Sequence, residues 1–285
     1  MRKRPVGDVR VGEIAVGAMA LSRPGRPSTQ EAVRAVHAAL DAGVTLIDTS
    51  PSYHDTPEER GHSELLVARA LRERPTSGNE VMVATKVGHI RQAGGTIAVD
   101  GSPDHIRRSA QESAGRLGVD SIDLLQLHRP DPQVPYAESV GELGRLVDRG
   151  LVRAVGISNV GTDEVEVAAS VLGPRLVSVQ NRYSPGHRES HDVLELCARR
   201  GLAFLAWSPL GGKGSGEITS APAFLAVGLA HGVGPHQVCL AWELRLSPGF
   251  IPIPGITSGA RAADCAAASR LDLTDEELDQ LPALT

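Results

Sequence analysis

Eight short apolar runs recur along this chain, and each is followed by a longer segment with helical periodicity. The runs are, in order, EIAVGAM, VTLIDTS, VMVATKV, IDLLQLH, VRAVGIS, LVSVQN, LAFLAWSP and GFIPIPG. In the segments between them, apolar residues recur near positions i, i+3 and i+4, which is the spacing of an amphipathic helix. Near-continuous apolar strands that alternate with such helices are typical of a parallel sheet covered on both faces. Eight units of this kind predict an α/β protein with a closed (β/α)8 TIM barrel.

The main structural alternative is an open, doubly wound sheet. In its dinucleotide-binding form a G-x-G-x-x-G motif follows the first strand, and none follows EIAVGAM. The Gly-rich run GGKGSG at 211–216 fits neither that motif nor a P-loop. We therefore expect one barrel domain over residues 1–285, with a small hairpin at Gly7–Gly12 and a capped terminal helix in TDEELDQL.

Composition argues against some classes of binding partner. The formal net charge is −5 and no basic stripe is visible, which argues against binding to nucleic acid. No window is long and apolar enough to span a bilayer, and the charged start MRKRPVGDVRVG lacks the apolar run of a signal peptide. The three cysteines have no metal-ligand spacing. We expect a cytoplasmic protein that acts on a small molecule, without a metal; the outer helices give no indication of oligomeric state.

Polar or aromatic residues end six of the eight apolar runs. They are Asp48, Lys86, His128, Ser158 with Asn159, Gln180, and Trp207 with Ser208. Taken singly, an Asp at a strand end is more often a cap, a lone His a structural residue, and an Asn after a Ser part of a turn. The carboxyl ends of barrel strands, however, meet at one rim, where the active sites of this fold lie. Independent capping does not readily explain six such ends, so we expect an active site there.

Lys86 is the most informative of these residues. The chain has only three lysines, yet this one follows the apolar run VMVAT. A buried ammonium needs a partner, and Asp48 on the neighbouring strand is the obvious one. A nearby cation favours a phenolate, so Lys86 should lower the pKa of Tyr53, on the loop after Asp48, from about 10 toward neutrality. Tyr53 would then donate a proton, and His128 would give a second hydrogen bond to the acceptor oxygen.

These segments resemble the aldo-keto reductase superfamily over nearly the whole chain. GVTLIDTSPSYH with GHSELLVARAL resembles the segment that carries the family's Asp and Tyr, VATKVG its lysine strand, and DLLQLHRPDP its histidine strand. The resemblance implies reduction of an aldehyde or ketone to an alcohol, with hydride from the nicotinamide of NADPH and a proton from Tyr53. The implied catalytic tetrad is Asp48, Tyr53, Lys86 and His128.

The resemblance also implies how the cofactor is held. Ser158, Asn159 and Gln180 would bind the nicotinamide carboxamide, and Trp207 would stack on the ring where the family more often has Tyr. The cofactor would continue, with its pyrophosphate, along a run made of Ser208, Pro209, Leu210, Gly211 and Lys213.

At the adenosine end the chain departs from the family's pattern. The corresponding run is GITSGARAADCAA, in which Ser258, Arg261 and Asp264 fall in register. Gly255 replaces a basic residue, and Cys265 replaces the Asn that contacts adenine. Arg261 alone would bind the 2′-phosphate of NADP(H) bidentately, unless it merely caps or solvates its helix.

A second departure follows Tyr53, where the chain inserts HDTPEER before Gly61. A metal site is conceivable there, but a solvated acidic loop is the better interpretation because no ligand spacing is present. The side chains concerned are His54, Asp55, Glu58, Glu59 and His62.

Two other functions stay open. The same fold and nucleotide would serve a regulatory sensor subunit with little turnover, as in the channel-associated β subunits of this superfamily. A metal-dependent hydrolase on a similar barrel would require His pairs at strand ends, and the rim offers only His128. Substrate identity depends on the loops at the rim, among which HIRQAGGTIAVDG is polar and Gly-rich enough for a mobile lid. Arg91, Arg129 and Arg182 would favour an anionic substrate if they face inward.

Overall fold

Eight parallel strands form the centre of the computed structural model, which describes residues 1–74, 81–212 and 216–281. They are β1 (Val16–Gly17), β2 (Leu46–Asp48), β3 (Met82–Val87), β4 (Ile122–Leu127), β5 (Val152–Ser158), β6 (Leu176–Arg182), β7 (Ala203–Trp207) and β8 (Phe250–Ile253). Each strand pairs in parallel with the next, and Gly17 bridges Gly255 to join β1 to β8. Every predicted run contains one of these strands, so the expected closed (β/α)8 barrel is confirmed.

Helices follow the strands and cover the outside of the barrel. Those described are α1 (Thr29–Asp41), α2 (His62–Glu73), α3 (Pro103–Leu117), α4 (Tyr136–Asp148), α5 (Thr162–Leu172), α6 (His191–Arg200), α7 (Gly216–Ser220), α8 (Pro222–His231), α9 (Pro235–Glu243), α10 (Gly259–Ala267) and α11 (Asp275–Gln280). Among the described residues no single helix is long and apolar enough to cross a bilayer. Only α8 and α9 taken together meet that test, and they are bent by 99° where they join.

Both expected terminal elements are present. Strands Lys3–Val6 and Val9–Gly12 pair in an antiparallel hairpin, which begins before the expected Gly7, and its Val6 and Val11 belong to a core cluster made mostly of residues from the first halves of the barrel strands. The hairpin therefore covers the amino ends of the strands and leaves the opposite rim open. At the other end of the chain, Thr274 and Glu277 form the capping box that begins α11.

The polar run at 89–102, considered above as a lid, contains a second small hairpin. Its strands, His89–Arg91 and Ile97–Val99, pair antiparallel directly after β3. We call this element the rim hairpin, because it lies at the carboxyl ends of the barrel strands.

Glu243, on α9, is a carboxylate inside the protein. It has no exposed surface, and neither carboxylate oxygen has a hydrogen-bond partner in the part of the chain that the structure describes. Burial raises the pKa of Glu243 well above its usual value, because a charge without a partner is unfavourable away from water.

Glu243→Gln should stabilise the protein above pH 5, and increasingly so as the pH rises. The unfolded chain releases the Glu243 proton near its usual pKa, whereas the folded chain retains it, so wild-type stability falls with pH until the raised folded pKa is reached. We expect the substitution to raise the free energy of unfolding by about 1–3 kcal/mol at pH 8 and to leave it almost unchanged at pH 4.5. Urea unfolding at both pH values would measure it, with the exposed Glu276→Gln as the control. A pH-independent difference would contradict the assignment.

Candidate active site

A buried ion pair lies where β2 and β3 end. The Lys86 side chain has no exposed surface, and its Nζ bonds Asp48 Oδ1 and donates to the Thr49 carbonyl at 3.1 Å. Asp48 Oδ1 also accepts a hydrogen bond from Gln180 Nε2 at 2.8 Å. Burial acts to lower the pKa of Lys86, but the charges and hydrogen bonds of Asp48 and Tyr53 together more than offset it, and the pKa is raised. The ammonium therefore stays charged at neutral pH, as expected from the sequence.

Tyr53 lies over this pair. The Lys86 Nζ is 5.2 Å from the centre of its ring, and the ring meets that of His128 edge to face at 6.0 Å. Burial raises the pKa of Tyr53; the Lys86 charge opposes this rise, and the Asp48 charge adds to it. The predicted lowering of the Tyr53 pKa is therefore wrong, because burial of the hydroxyl outweighs the effect of the Lys86 charge. Tyr53 stays protonated throughout the neutral range, which is the form that a proton donor requires.

His128 is stacked on a second imidazole. The rings of His128 and His89, the first residue of the rim hairpin, are 3.6 Å apart and inclined by 18°. Burial lowers the pKa of His128 well below its usual value and that of His89 to about 4, so both are neutral at pH 7. A neutral imidazole carries one N–H, and His128 can therefore donate a hydrogen bond without adding charge. Sequence analysis missed His89, although its place three residues after Lys86 was a usable signal.

Amide and hydroxyl groups occupy the opposite side of the rim, on β5 to β7. Ser158 Oγ donates to the Gln180 carbonyl at 2.6 Å, and Asn159 Nδ2 donates to the His128 carbonyl at 2.8 Å. Trp207 Nε1 donates to Asn159 Oδ1 at 3.2 Å. These bonds connect the ends of four strands, β4 to β7, and hold the Asn159 and Trp207 side chains at the rim.

Two residues that follow the strands have an unusual backbone. Asn159 and Ser208 lie in the left-handed region with φ of 57° and 52°, the only non-glycine residues with positive φ among those described. Ser in particular rarely adopts this conformation, and such residues concentrate at functional sites. Here the turn brings each residue to the cavity immediately after its strand ends.

A cavity of about 460 Å³ connects these groups, a size typical of small-molecule sites. The predicted site residues that line it are Asp48, Tyr53, His128, Ser158, Asn159, Gln180, Trp207, Ser208, Pro209, Leu210 and Arg261. Lys86 lies behind Asp48 and Tyr53. The predicted tetrad and carboxamide residues are thus brought together by one cavity.

Some predicted cofactor residues do not line this cavity. Gly211 is buried beside it, and its neighbour Gly212 lines the wall instead. Ser258 caps α10 by accepting a hydrogen bond from the Arg261 backbone N–H at 3.2 Å. Lys213 lies outside the described residues.

The expected adenosine end lies at the first turn of α10. The Arg261 guanidinium is 3.5 Å from His236 Nδ1 and 3.9 Å from Asp264 Oδ2, so it is only loosely held. Asp264 instead accepts a hydrogen bond from Gln237 at 2.5 Å. The Cys265 side chain is buried in the core, where burial raises the pKa of its thiol to about 11. Arg261 is thus available at the cavity, whereas Cys265 does not reach it.

The inserted loop after Tyr53 leaves and rejoins the barrel at one point. A hydrogen bond from the Gly61 N–H to the Pro51 carbonyl at 2.9 Å closes the segment that contains both Tyr53 and the insertion. Within it, Glu59 pairs with Arg26, the shorter contact being 2.6 Å. Over the described residues no three His, Cys, Asp or Glu side chains gather as metal ligands.

Comparisons with known proteins agree with this geometry. The model of the aldo/keto reductase family matches residues 13–285. The 6-dehydroglucose reductase of Novosphingobium aromaticivorans is 34% identical over 92% of this chain and 88% of its own. The glycerol dehydrogenase of Gluconobacter oxydans superposes with a TM-score of 0.83 at 28% identity, over 98% of this chain and 93% of the other.

An aldo-keto reductase from Klebsiella pneumoniae, solved in complex with NADPH, also superposes with a TM-score of 0.83. It is 27% identical, over 99% of this chain and 94% of its own. The resemblance seen in the sequence motifs is therefore confirmed over the whole barrel. The chain belongs to the aldo/keto reductase family of oxidoreductases.

Proposed function

We propose that this protein reduces an aldehyde or ketone to an alcohol, using NADPH as hydride donor and Tyr53 as proton donor. The observation that carries the proposal is the buried Asp48–Lys86 pair behind a protonated Tyr53 at the cavity wall. Such an arrangement has a clear use in carbonyl reduction, where the oxygen becomes negative and must receive a proton.

The chain's own residues account for the proton and for the charge. Tyr53 gives its proton to the carbonyl oxygen, and the Lys86 ammonium stabilises the phenolate that remains. Asp48 keeps Lys86 charged and fixed, since it accepts hydrogen bonds from both Lys86 and Gln180. Neutral His128 donates a hydrogen bond to the same oxygen. A bound nicotinamide supplies the hydride.

The residues present fit a nicotinamide dinucleotide phosphate. Asn159 and Gln180 carry amide groups that complement a carboxamide, and the Trp207 ring lies beside them. At the far wall, Arg261 stands in the first turn of α10, and no described carboxylate is closer to it than 3.9 Å. A guanidinium at a helix N-terminus suits a phosphate, which favours NADPH over NADH.

Fluorescence titration with NADPH and NADH, followed by a reactive aromatic aldehyde in the same cuvette, tests the proposal. We expect tighter binding of NADPH and its oxidation when the aldehyde is added. Arg261→Gln should weaken NADPH binding about 10–100-fold and leave NADH binding unchanged. The exposed Arg270→Gln, outside the cavity, is the control. Tight binding of NADPH without its oxidation by any member of a broad aldehyde panel would favour the function of a sensor subunit. If neither NADPH nor NADH bound, the assignment of a nicotinamide cofactor would be contradicted.

A further inference from the structure

The cavity wall has two halves, built from different parts of the barrel. Residues that follow β5 to β8 form the half that suits the cofactor. The other half follows β1 to β4 and surrounds the Tyr53 side chain. Its members outside the tetrad are Met19, Ala20, Arg23, Ser52, His89, Ile97 and Arg129. If the proposed function holds, this second half contacts the substrate, and we call it the substrate wall.

Two guanidinium groups on the substrate wall have no acidic partner. Neither Arg23 nor Arg129 makes an ion pair within 4.0 Å or a side-chain hydrogen bond to any described residue. Arg26, three residues after Arg23 but outside the cavity lining, pairs with Glu59 instead. Arginines that face a cavity and pair with no carboxylate are available for a ligand. The planar guanidinium group matches the geometry of carboxylate and phosphate oxygens.

The charge around these arginines is positive in balance. Arg91, on the rim hairpin, also makes no ion pair with a described residue, and its charge adds to burial in lowering the pKa of Arg23. Asp55 is the carboxylate whose charge opposes this, and it makes no ion pair with either arginine among the described contacts. The charge of Arg129 likewise lowers the pKa of His89. An anion on this wall would relieve the mutual repulsion of the guanidinium groups.

The same wall offers apolar surface. The side chains of Met19 and Ile97 are 46% and 40% exposed, high values for large apolar residues, and both face the cavity. Arg129 directly follows His128, and Arg23 is near enough to Tyr53 for its charge to act on the pKa of that hydroxyl. The cations therefore stand close to both groups that would hold the carbonyl oxygen. A ligand that satisfies this wall has a short apolar body with a carbonyl and an anionic group only a few bonds apart.

We propose that the substrate is an aldehyde or ketone that carries a carboxylate or phosphate group, bound by Arg23 and Arg129 on the substrate wall. Met19 and Ile97 contact its apolar body, and Arg91 strengthens the positive field. The inference rests on the proposed reductase function, but the charge selectivity is a separate property of the wall.

Matched pairs of aldehydes test it by NADPH oxidation. In the carboxylate arm, 4-carboxybenzaldehyde is compared with its methyl ester, and in the phosphate arm, glyceraldehyde 3-phosphate is compared with glyceraldehyde. We expect the anionic member of one pair to have a kcat/KM at least about ten-fold higher, mainly through KM. The arm with the preference identifies the anion. Equal or better reduction of the neutral member in both pairs would overturn the proposal.

Variants assign the preference to the two arginines. Arg23→Gln and Arg129→Gln should each reduce the anionic-to-neutral ratio of kcat/KM about ten-fold, whereas Arg26→Gln should leave the ratio as it is. A ratio unchanged in the double variant Arg23→Gln/Arg129→Gln would overturn the assignment.

A binding measurement separates this proposal from the reductase function. Benzoate and methyl benzoate are titrated into the NADPH complex and followed by cofactor fluorescence. Tighter binding of benzoate than of methyl benzoate, with the difference lost in the double variant, would support the anion site. This holds even if no aldehyde were reduced, and only the reductase function would then fail. Equal binding of both ligands would count against the anion site.

Discussion

Tyr53→Phe is expected to lower kcat about 10²–10⁴-fold and to leave the affinity for NADPH within about two-fold of the wild type. The change removes the hydroxyl that gives the proton, while the ring still packs over Lys86 and against His128. Because Tyr53 lies among the β1 to β4 residues of the cavity wall, its loss should not disturb the groups that hold the cofactor. Steady-state kinetics with a reactive aldehyde and fluorescence titration with NADPH measure the two effects.

Tyr136→Phe is a matched control for this variant. The Tyr136 hydroxyl is also buried, makes no hydrogen bond to any described residue and lies outside the cavity lining. Its removal should change neither kcat nor NADPH affinity. If Tyr53→Phe weakened NADPH binding as much as it lowered turnover, Tyr53 would be a cofactor-binding residue and the proposed proton donor would have to be another group.

Lys86→Met is expected to lower both turnover and stability. It leaves Asp48 buried without its cation, which costs about 3–5 kcal/mol in the free energy of unfolding. It also removes the charge that opposes the rise in the pKa of Tyr53, so that pKa should rise further. The alkaline limb of the kcat profile, where Tyr53 loses its proton, should therefore move to higher pH.

The double variant Asp48→Asn/Lys86→Met separates the two effects. It removes both charges, so stability in urea should return part of the way to the wild-type value, while turnover should stay as low as in the single variant. If the double variant were as unstable as Lys86→Met, the loss would come from packing of the lysine stem and not from the unpaired carboxylate.

The sequence was sufficient for the barrel and for most of the site. Strand and helix periods differ, so the eight runs could be told from the segments between them, and a closed barrel then brings all strand ends to one rim. The first run agrees least with the structure: only Val16–Gly17 forms a strand, and the last residue of the run, Met19, begins a 3₁₀ turn that extends to Leu21. That turn presents Met19 to the cavity.

Other features depend on balances and on tertiary contacts that spacing does not encode. The direction of the Tyr53 pKa depends on burial and on two opposed charges, whereas the expectation from the sequence rests on the Lys86 charge alone. The stack of His89 on His128 requires the rim hairpin to fold over β3. By contrast, the buried position of Cys265 was readable, since Ala262, Cys265 and Ala266 form an i, i+3, i+4 stripe on α10. The alignment with the family's pattern, however, places Cys265 at the adenine, where the structure does not have it.

The way the HDTPEER insertion is joined to the barrel places it on the same short closed segment as the proposed proton donor, Tyr53. The Gly61 N–H to Pro51 carbonyl bond forms a neck below the inserted residues. Gly61 is fixed in this place, because its φ is 83° and a Cβ atom would lie 2.2 Å from the Arg116 Cδ. Tyr53 lies within the segment that this bond closes, and its own N–H donates to the Ser50 carbonyl at 3.2 Å. The place of its hydroxyl therefore depends on two backbone hydrogen bonds, and a change in the insertion that broke either bond would move the proposed proton donor together with the loop.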